Sequence, residues 1–240
     1  MQSTDTLVSF APSEAPTQVS STTTLAPLIR RDGSITLGFL THDLRNTVLT
    51  PEGGNYSNAI YTVITDDDDK RTVVYRGQEE SQEEIASLQR YGLRPDQITL
   101  GRNEKPTKLS GWLKGEGLKS SIGMSVQILP VSFVNEFHNK FTWKKDQGTL
   151  MALYPSNENI PIAYYQPPRK RFVDGKSSIE LPFITLSPNF PFQDNRSSSL
   201  TLRDLLLVSI VEIERKRREK EIGVQSAGIR AMGTRMEAIG

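Results

Sequence analysis

Cysteine is absent from the 240 residues, which removes disulfides, thiol nucleophiles and thiolate metal sites in one step and suits a reducing compartment. Histidine is nearly as scarce. His42 and His138 are the only two, so a histidine-based metal site would need both of them, joined by carboxylates that the fold would have to bring together. Neither sign of charge is in excess. The 29 lysines and arginines stand against 28 aspartates and glutamates, a net charge of +1, which gives no global attraction for nucleic acid or another polyanion. No hydrophobic run reaches membrane-spanning length: the longest is about a dozen residues where a helix needs ~20, and Asp204 and Glu212 lie within it. The opening MQSTDTLVSFAPSEAPTQ has neither the basic start nor the apolar centre of a secretory signal. The expected location is therefore intracellular, in the cytoplasm or at the membrane periphery. Motifs of catalysis are missing too. No Gly-x-Ser-x-Gly elbow is present, and Gly111, Gly115 and Gly117 in GWLKGEG lack the Gly-Lys-Ser/Thr ending of a phosphate loop. Asp66 to Asp69 lack the spaced ligands and turn glycine of a calcium loop. These absences together lead us to expect a non-enzymatic protein with no cofactor and no metal.

What the chain does have is one strongly marked helix, from Leu200 to Glu221. Thr201 followed three residues later by Asp204 has the spacing of a capping box, and Leu200 and Leu205 are placed for a hydrophobic staple. From Leu202 to Ile213 the apolar residues occupy every side of a 3.6-residue wheel instead of one stripe. Such a helix must be surrounded. Beyond it, Gly223 reads as a stop, and 223–240 as a flexible tail.

The rest of the ordered chain reads as strands. SITLGFL starts the series near Ser34, and AIYTVIT and RTVVYR, on either side of Asp66 to Lys70, form a hairpin pattern with like charges at its tip. SIGMSVQILPVSF, KFTWKK, TLMALY, PIAYYQP and SIELPFITLS follow at short intervals, without helices between them. Glu79 to Arg90 reads as a short surface helix within a polar insert at 77–110. Strands followed by one apolar helix indicate a mainly β fold, an antiparallel barrel or curved sheet enclosing the C-terminal helix. The domain so drawn runs over 34–222. It follows a disordered tail over 1–33, in which eleven of the first 24 residues are Ser or Thr and Pro12, Pro16 and Pro27 intervene. Apolar residues with glycine make up about 40% of the chain, below the ~45–50% typical of globular domains, which agrees with part of it lying outside a packed core.

The segment FHNKFTWKKDQGTLMALYPSNENIPIAYYQPP, with Phe141, Trp143 and Lys144 on one strand and Ile162, Ala163 and Tyr164 on another, resembles a family of uncharacterised proteins from mushroom-forming fungi. The closing LTLRDLLLVSIVEIERKRREKE, with Asp204 near its start and Glu214 to Arg218 near its end, carries the same likeness. That family is similar to the tubby C-terminal, LURP-one and phospholipid-scramblase group. The resemblance implies a closed antiparallel barrel threaded by a C-terminal helix and, as in tubby domains, phosphoinositide binding through basic residues.

Trp143 alternates with Lys144 and shares its face with Phe141, so it reads as core. Two basic clusters remain. Arg215 to Arg218 sit at a helix end, where cations suit the dipole and Glu212–Lys216 and Glu214–Arg218 have i,i+4 spacing, so their role reads as structural. Arg169, Lys170 and Arg171 follow Pro167-Pro168 in what reads as a loop, where three adjacent cations suit a phosphate or an anionic lipid surface. The expected function is thus a binding domain for an anionic phospholipid or phosphoinositide. The competing reading is a protein-interaction adaptor regulated through the Ser/Thr-rich tail. Nucleic acid is not an expected partner, and no transmembrane segment is expected.

Overall fold

A computed structural model describes residues 32–78, 81–102, 104–115, 128–173, 175–191 and 200–237. Its strands are β1 (Ile35–Phe39), β2 (Thr47–Pro51), β3 (Tyr61–Thr65), β4 (Arg71–Arg76), β5 (Glu83–Gln89), β6 (Gln97–Leu100), β7 (Thr107–Lys108), β8 (Val131–Val134), β9 (Lys140–Lys145), β10 (Met151–Pro155), β11 (Ala163–Gln166), β12 (Arg169–Val173), β13 (Lys176–Glu180) and β14 (Phe183–Leu186). A single helical turn, α1 (Leu109–Trp112), follows β7, and one long helix, α2 (Leu202–Glu237), closes the fold. Twelve strands form one antiparallel sheet in the order β7-β6-β5-β4-β3-β2-β1-β14-β11-β10-β9-β8, and β12 pairs only with β13. The sheet is two meanders sewn together where β1 meets β14, Ile35 opposite Leu186 and Gly38 opposite Phe183.

The alternation of the sequence is realised on these strands. In β9 Phe141 and Trp143 are buried and Lys144 is exposed; in β3 Tyr61, Val63 and Thr65 face inward. All twelve residues from Asp204 to Arg215 are buried, where a helix lying on a flat sheet would hide one stripe. The sheet must therefore wrap the helix. Polar anchors reach α2 from both meanders: Tyr61 of β3 donates to Asp204 at 2.7 Å, and the Trp143 indole of β9 donates to Ser209 at 2.9 Å. The capping box is present, with the Thr201 N–H donating to Asp204 at 2.7 Å and the Asp204 N–H to the Thr201 hydroxyl at 3.2 Å.

Several expectations are corrected. The sheet curves around the helix but is not closed into a barrel: β7 and β8 are its edges and do not pair. Their nearest link is an isolated bridge in which Lys114, just after α1, exchanges two 2.7 Å backbone hydrogen bonds with Ser132 of β8. The helix expected over 79–90 is strand β5. Val74 faces Ala86 but Tyr75 faces Glu84, so Ile85 is an extra residue in the ladder. That bulge turns Ile85 and Ala86 both toward the core, and the broken alternation imitates a helical period. The turn-rich stretch after Leu40 contains a buried strand, β2. Arg169 to Arg171 lie on a strand, not a loop. The long helix runs through Gly223 to Glu237 instead of stopping; an interior glycine weakens a helix by about 1 kcal/mol but does not end it. The strand expected at SIGMSVQ, the Ser/Thr- and proline-rich tail expected over 1–33 as far as residue 31, and the last three residues lie outside the described residues. Among the described residues no helix is long and apolar enough to cross a membrane.

Candidate functional site

Strands β12 and β13 form a hairpin that leaves the main sheet between two neighbouring strands. β11 and β14 pair as far as Gln166 opposite Phe183, and there Pro167, Pro168 and Pro182 interrupt. Proline has no N–H to continue a ladder, so the residues between form a ladder of their own. Gly175 supplies the turn with a φ of +75°, a conformation that glycine adopts freely.

The register sorts the hairpin's side chains. Arg169 faces Glu180, Lys170 faces Ile179, Arg171 faces Ser178 and Phe172 faces Ser177. Opposed residues of an antiparallel pair share a face, so Arg169, Arg171 and Glu180 lie on one side, with Lys170, Phe172 and Ile179 on the other. Glu180 bridges both arginines, at 3.4 Å to Arg169 and 2.6 Å to Arg171. The three residues of the basic cluster are thus brought to one hairpin but divided between its faces. Phe172 is 75% exposed and Ile179 47%, while Leu181, 45% exposed, lies just beyond β13. Sequence reading missed this apolar face. Its signal was there, since RKRFV and KSSIE flank an Asp-Gly pair, a hairpin signature overshadowed by the adjacent prolines.

The second basic cluster is internal architecture. Arg215 grips the buried Glu212 with two bonds of 2.9 and 2.7 Å and also meets Asp96 at 3.6 Å and Glu219. Arg217 grips the buried Glu214 at 2.9 and 2.7 Å, and Arg218 joins Glu214 at 3.2 Å to Asp43 at 2.7 Å. Of the two i,i+4 pairs expected, Glu214–Arg218 is formed, while Lys216 pairs with Glu219 instead of Glu212. Burial raises the Asp43 carboxyl pKa, but bonds from Arg45 and the charges of Arg218 and Arg45 outweigh it and leave the pKa below the usual value. The backbone carbonyl of His42 accepts from Arg218, while His138 sits in the β8–β9 turn with φ +60°.

A groove of about 760 Å³ opens where α2 emerges, lined by Asp68 to Lys70, Arg90 to Arg94, Asp96, Arg215, Lys216 and Glu219. Many of its charges already answer one another. Lys70 pairs with Asp68, Arg215 and Lys216 share Glu219, and Arg90 donates to the Asp69 carbonyl at 3.0 Å and to Thr72 at 2.8 Å. Burial, and then the neighbouring Arg215, depress the Arg90 pKa. The hairpin, by contrast, holds cations and apolar groups that face solvent.

A family model described as "Family of unknown function (DUF6593)" matches residues 42–219, well over half of the chain. The chain belongs to the DUF6593 family. The matched stretch of this DUF6593 protein contains the β12–β13 hairpin, the buried half of α2 and both basic clusters. No curated protein and no solved structure matches it.

Proposed function

We propose that this DUF6593 protein is a non-enzymatic binding module that docks on anionic phospholipid surfaces through the β12–β13 hairpin. The observation that carries the reading is the hairpin itself: Arg169, Lys170, Arg171 and Lys176 project from a two-stranded unit outside the main sheet, with Glu180 pairing with Arg169 and Arg171. Lys170 lies across the ladder from Ile179 and is exposed. Each cation near an acidic bilayer contributes ~1 kcal/mol, so the hairpin supplies a few kcal/mol that fades as salt screens it. The wrapped sheet around an apolar C-terminal helix supports a further proposal, kinship in architecture with the tubby, LURP-one and scramblase group. Flotation of the full chain with phosphatidylcholine vesicles, with and without phosphatidylserine, tests the function. The expected result is salt-sensitive binding that needs the acidic lipid and is lost in the Arg169→Ala/Lys170→Ala/Arg171→Ala variant. Equal behaviour of that variant and the parent would refute the site.

A further inference from the structure

Resting on that membrane reading, we infer that the hairpin does more than adsorb: its apolar face, Phe172 and Ile179, inserts into the interfacial layer of an anionic bilayer. Other exposed large apolar residues, such as Tyr56, Ile64, Leu93, Phe137 and Ile160, are scattered over separate elements. Single exposed apolar residues are ordinary. Phe172 and Ile179 share one face of one hairpin, exposed by 75% and 47%, and Leu181, exposed by 45%, follows directly after β13; apolar groups gathered in this way mark a contact surface.

The charges indicate which surface. Lys170 stands beside Ile179 on the apolar face, and its long apolar stem allows the ammonium to reach headgroup phosphates while the stem stays with the inserted side chains. Arg169 and Arg171 occupy the other face with Glu180. Apolar groups beside cations complement an acidic headgroup layer above hydrocarbon, and they mismatch a basic surface.

Depth is limited by the backbone. Five residue pairs satisfy the inner edges of β12 and β13, but the two strands pair with nothing else, so their outer N–H and C=O groups need water. Unpaired backbone is excluded from the hydrocarbon core. The hairpin therefore stays in the interface and does not span.

The absence of cysteine makes single-site labelling of the full chain clean. The variants Ile179→Cys, on the apolar face, and Ser178→Cys, on the opposite one, each carry an environment-sensitive NBD probe. They are mixed with phosphatidylcholine vesicles with or without phosphatidylserine, and flotation is read in parallel. The expected result is a blue shift for the probe at 179, quenched by acyl-chain nitroxide lipids, with a much smaller change at 178. Phe172→Ser lowers vesicle partition on the order of ten-fold or more and leaves the melting temperature unchanged, since Phe172 is 75% exposed. Flotation with a silent probe at 179, or with undiminished partition of Phe172→Ser, overturns insertion and leaves surface adsorption standing. No flotation overturns both, and so does capture by a protein partner through this face without lipid binding.

Discussion

Removing Arg76 strands a charge at the centre of the fold. Asp204 is fully buried and accepts from Tyr61, Arg76 and the Thr201 N–H, each at 2.7 Å. Arg76, opposite Tyr61 on the β3–β4 ladder, supplies the charge that compensates it, at a side-chain exposure of 27%. Breaking a buried pair from one side costs about 3–5 kcal/mol. With two neutral donors left on Asp204, Arg76→Ala is expected near 3 kcal/mol. Asp204→Ala removes the same pair together with the capping box, for a comparable loss. Because both variants lose one shared interaction, the double variant is expected to fall short of the sum by about 2 kcal/mol. Arg76 also meets Glu83 at 2.5 Å, a partner whose side chain is 47% exposed, so Glu83→Ala is a control expected to change stability by less than about 1 kcal/mol. Urea denaturation measures all four variants, with the m-value expected to hold while the midpoint moves. Additive effects, or a Glu83→Ala loss equal to that of Arg76→Ala, would show that Asp204 is not the point where α2 is fastened to β4.

Three more outcomes follow from the same packing. Tyr61→Phe is expected to lose about 1.5–3 kcal/mol, because its hydroxyl donates to a buried carboxylate, whereas Tyr165→Phe is expected to stay within about 1 kcal/mol, because among the described residues that hydroxyl makes no hydrogen bond of good geometry, the Glu214 carboxylate being only nearby; urea midpoints compare them. Burial raises both tyrosine pKa values, with the charges of Asp204 and Glu214 adding to it. Above pH about 10 the unfolded chain releases phenol protons that the folded chain keeps, so stability falls with rising pH by up to about 1.4 kcal/mol per unit per tyrosine, and the Tyr61→Phe/Tyr165→Phe variant is expected to show a shallower alkaline decline in thermal melts. Gly115→Ala would place a Cβ 2.9 Å from both the Pro130 carbonyl oxygen and a Val131 methyl; the expected loss is about 1–3 kcal/mol, and an unchanged melting temperature would show that the segment after α1 shifts freely beside β8.

Features written in local pattern were legible in the sequence. The all-round apolar run from Leu202 to Ile213 and its Thr201–Asp204 cap announced an enclosed helix, and the inward Phe141 and Trp143 followed from alternation alone. What failed had physical causes. The β5 bulge at Ile85 broke the two-residue period, and the prolines around 167 and 182 hid a hairpin that they in fact delimit. Asp204 was readable as a cap but not as the partner of Arg76, 128 residues away in the chain, since no local pattern records such a pair. Closure of the sheet was likewise beyond periodicity: it depends on whether β7 and β8 meet, and α1 with the Lys114–Ser132 bridge stands between them. Of the site, the sequence displayed its cations but not their division between two faces, which depends on the register of Arg169 with Glu180.

The central claim is that one hairpin meets the membrane, and hydrogen–deuterium exchange of the full chain with and without phosphatidylserine-containing vesicles tests it most directly. Slowed exchange confined to 169–181 in the presence of the acidic vesicles is the expected result, because the outer edges of β12 and β13 lose access to bulk water there. Protection at the groove around Asp69 and Arg90 instead, or vesicle binding with no protection at 169–181, would contradict it.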